Sequence, residues 1–326
     1  MTDEIRLGAL CWNQYTEWQD LLEAGRRADR LGFYSLWTWD HLYPIVGSER
    51  GPMFEGYLTL AAWAQATERI RVGLMVGANP FRNPALVAKM ATTLDHISNG
   101  RTYLGIGSAW NEGEAEAFGI EFGVSPGERL RWLREALPVM RGMLHGEGPS
   151  AAGPRYATRE VRNDPLPVQR DMPLLVGGAG EKVTLRLVAR YADANNIGFP
   201  LGVEELRRRE ELLRGYSAEI GRDEREIERT FNTGPVIIRD STAEAVRVLE
   251  QIYEHNGAAQ TWNGRRAESQ PVGSPEKVAD LLRPYVEQGY RHVVVGFPAP
   301  YDEETMNRLV HEVAPLLAQG VEATPA

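Results

Sequence analysis

The chain has 326 residues, 43% of them hydrophobic and 25% charged, the balance of an ordinary globular protein with a large core, which argues against a disordered chain. Forty-five acidic against 36 basic side chains leave a net charge of −9, so nothing in the charge invites a phosphate backbone or an anionic membrane surface. The start, MTDEIRLGAL, carries acids where a secretion signal needs a basic segment, and no apolar run reaches membrane-spanning length, so the expectation is a cytoplasmic protein with no nucleic-acid or membrane partner.

Residues 5–10 read as a buried strand, with Trp18, Leu21, Leu22, Gly25, Ala28 and Leu31 following at helical spacing. Cys11, the single cysteine, sits at this strand and reads as a small core hydrophobe. Gly32 stops the helix, and residues 34–37 form the short aromatic and apolar run of a second buried strand. The alternation continues with helix 57–66, strand 71–76, helix 84–97, strand 101–106 and a long helix over 126–145. The polar stretch 146–171, with Gly146, Gly148, Pro149, Gly153 and Pro154 close together, reads as a long loop or small hairpin. Strand 173–176, helix 182–191, strand 192–197, helix 203–220, strand 230–238 and helix 242–255 come next. A loop at 256–273 precedes helix 275–288, strand 292–295 and a closing helix over 303–317.

Eight strands alternating with helices predict an α/β fold, a single (β/α)8 barrel domain over 1–326. Insertions at 146–171 and 256–273 are expected as lids or rims at its carboxy-terminal mouth. An open doubly wound sheet would alternate in the same way, but no glycine-rich dinucleotide fingerprint follows the first strand.

In a barrel the reactive groups stand just beyond the carboxy-terminal ends of the strands, which restricts the search to a few segments. Trp39, Asp40 and His41 follow strand two: a histidine titrates near neutral pH, and an adjacent aspartate can fix its tautomer or bond a cofactor ring, although the same residues could form a plain capping pair. Gly107, Ser108, Ala109, Trp110 and Asn111 end strand four. Small residues there admit a flat ring, while Asn111 is either a ligand for a ring carbonyl or hydroxyl, or an N-cap. The run Gly177, Gly178, Ala179 and Gly180 between strand and helix offers backbone amides to a phosphate, or serves packing alone; Lys182 and Arg186 are solvated charges that could supplement it. Asn79 to Pro84 reads as a turn fixed by its prolines and asparagines. His96, His145, His255, His292 and His311 show no ligand spacing, so no metal is expected.

Taken together, LWTWDHL, NPFRNPALVAKMATTLDHISNGR, LGIGSAWNEGEAEAFGI, PLLVGGAGEKVTLRLVARYADANN and PVGSPEKVADLL resemble the luciferase-like monooxygenase superfamily, in particular its branch that uses the deazaflavin coenzyme F420. The resemblance covers nearly the whole chain. It implies that Asp40 and His41 border the deazaflavin ring, that Asn111 lies against its side chain or ring edge, and that Gly177 to Gly180 hold its phosphate. It further implies a cis peptide between residues 74 and 77, so that Met75, Val76 and Gly77 form a bulge behind the ring. Where the sugar-phosphate dehydrogenases of this branch carry a glutamate, this chain has Ser108, which argues against a sugar phosphate. Trp12, Trp39, Phe81 and Trp110 instead suit a flat or apolar substrate, or pack the rim.

The function expected on these grounds is F420-dependent hydride transfer to or from a small organic substrate, with His41, assisted by Asp40, as the catalytic group. An FMN-dependent monooxygenase served by a separate reductase is the alternative, and a barrel that binds a flavin or ligand without turnover is a third. The resemblance also implies a homodimer packed through helices two and three, where Leu58, Leu60, Trp63, Ala64, Leu86, Val87, Met90 and Leu94 exceed the needs of one inward face.

Overall fold

A computed structural model describes residues 4–259 and 270–319. Its strands are β1 (Arg6–Cys11), β2 (Ser35–Thr38), β3 (Arg71–Leu74), β4 (Gly77–Ala78), β5 (Thr102–Gly107), β6 (Ala151–Ala152), β7 (Ala157–Thr158), β8 (Leu174–Gly177), β9 (Ala194–Gly198), β10 (Glu228–Pro235), β11 (Ile237–Ile238), β12 (Val272–Gly273) and β13 (His292–Phe297). The helices are α1 (Trp18–Leu31), α2 (Gly56–Ala66), α3 (Pro84–Ile97), α4 (Glu112–Ala117), α5 (Pro126–Leu144), α6 (Thr184–Tyr191), α7 (Val203–Glu219), α8 (Thr242–His255), α9 (Pro275–Glu287), α10 (Glu303–Arg308) and α11 (Ala314–Ala318).

Eight parallel strands pair in the order β3, β2, β1, β13, β10, β9, β8 and β5, and the β3–β5 pairing closes the ring. The predicted barrel is therefore the observed one, with the helices around it. Polar residues at the predicted places start the helices: Asn83 Oδ1 accepts from the Ala85 amide beside Pro84, and Ser125, Ser241 and Ser274 cap α5, α8 and α9. Gly32 ends α1 in the left-handed conformation. Among the described residues no helix is long and apolar enough to cross a membrane.

The amino-terminal floor of the barrel is polar and densely hydrogen-bonded. Glu228 accepts from Arg6 at 3.1 Å and from the Tyr103 hydroxyl at 2.9 Å, and its Oε1 lies 3.1 Å from His292 Nδ1. His292 Nε2 lies 2.6 Å from Ser35 Oγ, which also accepts from Trp37 Nε1. A serine, a histidine and a carboxylate thus line up as in a hydrolase, but Ser35 is completely buried and no substrate reaches it.

Several boundaries differ from expectation. Strand three stops at Leu74 and resumes as β4, the seventh strand gives way to β11, which pairs with β12 outside the barrel, and the closing helix passes through a π-turn at residues 309–313. Helix α6 starts at Thr184, two residues after the expected start. The segment 146–171 reaches both ends of the barrel. It joins the end of α5 to the start of β8, so its two ends lie on the amino-terminal side, but its hairpin climbs along α5 towards the mouth, where the Tyr156 hydroxyl is bonded to Asn79 just past β4 and Arg155 pairs with Glu121. The segment forms the β6–β7 hairpin and is tied down along α3 and α5, with Asn163 Nδ2 donating to Thr92 Oγ1 and to the Met143 carbonyl, and Gln169 bonded to Asp95. Of 256–273, residues 260–269 lie outside the described residues. The part just before them does sit at the mouth, where Asn256 Nδ2 donates to the Ala299 carbonyl and His255 Nε2 lies 2.8 Å from the Tyr15 carbonyl oxygen.

Candidate active site

The candidate residues all fall at or just beyond the carboxy-terminal ends of β1, β2, β4, β5 and β8. Asp40 is buried, and its Oδ2 accepts from the Ala78 amide and from Arg82 Nη1, each at 2.8 Å. Arg82 Nη2 reaches Glu55 Oε1 at 2.8 Å, and the guanidinium lies 4.9 Å from the centre of the Tyr57 ring. Burial pushes the Asp40 carboxyl above its usual range, and Arg82 and the Ala78 amide, which pull it down, do not fully offset this.

His41 turns away from this pair. Its Nδ1 stands 2.6 Å from Glu114 Oε1, while Glu114 Oε2 accepts from the amides of Leu42 at 2.7 Å and Tyr43 at 3.4 Å. Glu114 is 2% exposed and His41 15%. The sequence expectation that Asp40 fixes the tautomer of His41 is therefore corrected: among the described residues no bond joins the two, and the carboxylate on His41 Nδ1 comes from α4, 73 residues along the chain.

The peptide between Met75 and Val76 is cis, inside the expected 74–77 window. The Val76 side chain then lies across two strand ends: a Cβ on Gly177 would come within 2.7 Å of it and one on Gly107 within 2.8 Å. A Cβ on Gly77 would stand 2.9 Å from the Gly105 carbonyl oxygen and 3.7 Å from Asp40 Oδ2. Met75, Val76, Gly77, Gly107 and Gly177 thus meet at one place, where the Val76 side chain packs over the Gly107 and Gly177 backbones. Ser108 and Ala109 are half-buried beside it, Ala109 with φ 61. Asn111 occupies the N-cap position of α4, and among the described residues its side chain makes no capping bond.

In the loop after β8 the Gly178 amide is already used, donating to the Asn196 carbonyl, and Arg209 donates to the Ala179 carbonyl. Among the described residues no protein group accepts from the amides of Ala179 or Gly180, which remain available to an anion. Of the aromatic residues, Trp12 and Trp39 lie 4.7 Å apart between ring centres, Trp39 and His41 6.4 Å, and His41 and Trp110 5.3 Å. Trp110 is 64% exposed. Phe81 does not join this row; it sits in a turn after β4 and makes no ring contact with the others among the described residues.

Three buried oxygens at the ends of neighbouring strands have no donor: Asn13 Oδ1, Asp40 Oδ1 and Asn79 Oδ1. Unmet buried acceptors are costly in a folded protein unless a ligand or water satisfies them. Among the described residues no group of histidines, cysteines or carboxylates could hold a metal ion.

A sequence profile for luciferase-like monooxygenases matches residues 7–292. The chain belongs to the luciferase-like monooxygenase family. Within it the chain is 28% identical over 338 residues to an F420-dependent glucose-6-phosphate dehydrogenase of Kribbella flavida, covering 96% of this chain and 98% of that protein. It is 31% identical over 185 residues to an uncharacterised protein of Mycobacterium bovis, a match that covers 52% of this chain and 64% of that protein's length. Solved structures share the fold. An F420-dependent secondary alcohol dehydrogenase in complex with an F420-acetone adduct superposes with a TM-score of 0.81 at 20% identity, covering 96% of this chain and 99% of the other. The oxygenating constituent of 3,6-diketocamphane monooxygenase from Pseudomonas putida, in complex with FMN, superposes with a TM-score of 0.71 at 20% identity, covering 96% and 98%.

Two features of this luciferase-like barrel escaped the sequence reading. Arg82 lies in a segment whose prolines and asparagines explain a turn completely, so nothing marked it as the counter-charge of Asp40. Glu114 sits among four glutamates between residues 112 and 121, where one buried carboxylate looks like its solvated neighbours.

Proposed function

We propose that this protein transfers a hydride between coenzyme F420, seated at the barrel mouth, and a small apolar alcohol or carbonyl compound, with His41 giving or taking the accompanying proton. The observation that carries this reading is the setting of His41: one ring nitrogen is tied to a buried carboxylate, while the other has no protein partner among the described residues and the ring borders Trp39 and Trp110. The residues present fit a deazaflavin or flavin. The Val76 bulge over Gly107 and Gly177, flanked by Met75 and Gly77, offers an apolar face to a planar ring, and the unmet oxygens of Asn13, Asp40 and Asn79 suit the N–H edge of such a ring. Ala179 and Gly180 offer amides to a phosphate, and Ser108, Ala109 and Asn111 border the same mouth. When bound, the deazaflavin supplies the hydride acceptor or donor; the chain supplies binding, orientation and the proton.

The substrate class follows from charge and shape. Arg82 is spent on Asp40 and Glu55, so it is not free for a phosphate, and Trp12, Trp39 and Trp110 line the approach with aromatic surface. FMN with oxygen, fed by a separate reductase, is the second reading, favoured by the family's monooxygenase profile. Titration separates the two: the first reading expects the protein to quench F420 fluorescence and to ignore FMN, and the reverse result overturns it. Acceleration of reduced-cofactor oxidation by a ketone excludes a mere binder.

We also propose a homodimer through α2 and α3. Leu60, Trp63, Ala64, Val87 and Leu94 are used by the chain's own core, so the surface left for a partner centres on Leu58, 73% exposed, and Leu86, 53% exposed.

A further inference from the structure

We propose that Glu114 is the positioning residue for His41, holding the imidazole as its Nδ1–H tautomer so that Nε2 keeps the lone pair. This rests on the reading of His41 as the proton-handling group. The two oxygens of Glu114 have different duties. Oε2 faces the amides of Leu42 and Tyr43, which can only donate. Oε1 lies 2.6 Å from His41 Nδ1, a distance that requires a hydrogen between them. Two amide donors on the far oxygen favour the ionised carboxylate, so that hydrogen belongs to the ring. The carboxylate is 2% exposed, so water does not compete for either bond. One side chain of α4 thus fixes both the course of the loop after β2 and the proton position on the ring it carries.

The chemical consequence is directional. In alcohol oxidation the proton of the substrate O–H would pass to Nε2, and a bound deazaflavin would take up the C–H electron pair as hydride. His41 becomes an imidazolium whose Nδ1–H still faces the Glu114 carboxylate, which stabilises the new charge. Carbonyl reduction runs the same path backwards, with Nε2–H as the donor. Asp40 does not serve in this way, since His41 Nδ1 is already held by Glu114.

The test is a proton-location measurement on the full chain labelled with 15N-histidine, at a pH where the ring is neutral, His41 being assigned by comparison with His41→Gln. The expected spectrum shows Nδ1 protonated and Nε2 bare. In Glu114→Gln the amide carbonyl must stay with the Leu42 and Tyr43 donors, which turns the NH2 toward Nδ1 and forces the proton to Nε2. A wild-type ring protonated at Nε2, or a Gln variant with the wild-type pattern, overturns the proposal. Should the variant fail to fold, the wild-type spectrum decides alone. With F420 and a substrate, the swapped tautomer lowers kcat by roughly 100- to 10,000-fold with little change in KM. A swapped tautomer with unchanged turnover keeps the role of Glu114 and overturns the proton role of His41 instead.

Discussion

Arg82 is the residue on which two carboxylates depend, and Arg82→Met should show it. Removing the guanidinium leaves Asp40 buried opposite nothing, a loss that costs about 3–5 kcal/mol when one partner of a buried pair is removed. A chemical denaturation midpoint close to that of the parent would contradict the pairing. His41→Ala should behave oppositely: stability and cofactor affinity stay close to wild type while turnover falls by roughly 100- to 10,000-fold. Unchanged turnover in that variant would remove His41 from the chemistry. The sequence made His41 and Asp40 legible because a strand end in a barrel points at the mouth, and that rule needs only local periodicity. It could not reveal Glu114 or Arg82. Their roles arise when α4 and the turn after β4 are folded against the loop after β2, and a carboxylate 73 residues from its histidine leaves no trace in spacing.

At the scale of elements, the phosphate loop and the hairpin insertion lead to opposite expectations. Gly178 has φ 116, a conformation that costs a residue with a Cβ roughly 1–3 kcal/mol, and its amide is held by Asn196. Gly178→Val should therefore reshape the loop that presents the Ala179 and Gly180 amides and weaken cofactor binding by about tenfold or more, with the barrel intact. Equal affinity by fluorescence titration would place the phosphate elsewhere. Residues 163–171 should ignore the cofactor altogether: proteolysis within them should proceed at the same rate with and without F420 and substrate, since this stretch is anchored to α3 and the end of α5. Protection by ligand would return it to the mouth. The element pattern itself was readable almost throughout, because amphipathic helices and buried strands carry their own periods. How far each long loop climbs towards the mouth is decided by contacts such as that of Tyr156 with Asn79, which length and polarity do not encode.

For the molecule as a whole, the polar floor ties stability to acid. Burial pushes the Glu228 carboxyl up, but the hydrogen bond from His292, with Tyr103 and Arg6, brings it down to about 2. A carboxyl held below its unfolded value of 4.5 stabilises the fold above that pH and loses its contribution as pH falls towards 2. Denaturation measured from pH 6 to pH 2 should show this loss, up to about 3 kcal/mol, and Glu228→Gln should flatten that limb of the curve. An unchanged acid limb in the variant would remove Glu228 from the floor's energetics. Light scattering tests the dimer at the same scale: a monomer at micromolar concentration with F420 bound, or no change on Leu58→Lys with Leu86→Lys, would defeat it.

The solitary cysteine offers a clock. Cys11 closes β1, wholly enclosed, and burial pushes its thiol up to about 12, so a folded molecule presents nothing for an alkylating reagent to attack. At reagent concentrations where alkylation outpaces reclosing, the labelling rate of the intact chain is then the rate at which the first strand leaves the ring, read by mass spectrometry without any engineered probe. It also makes the surface a blank page. A cysteine placed at exposed Ala152 would be the one thiol that reacts at native pH, giving a dye attachment point on the β6–β7 hairpin.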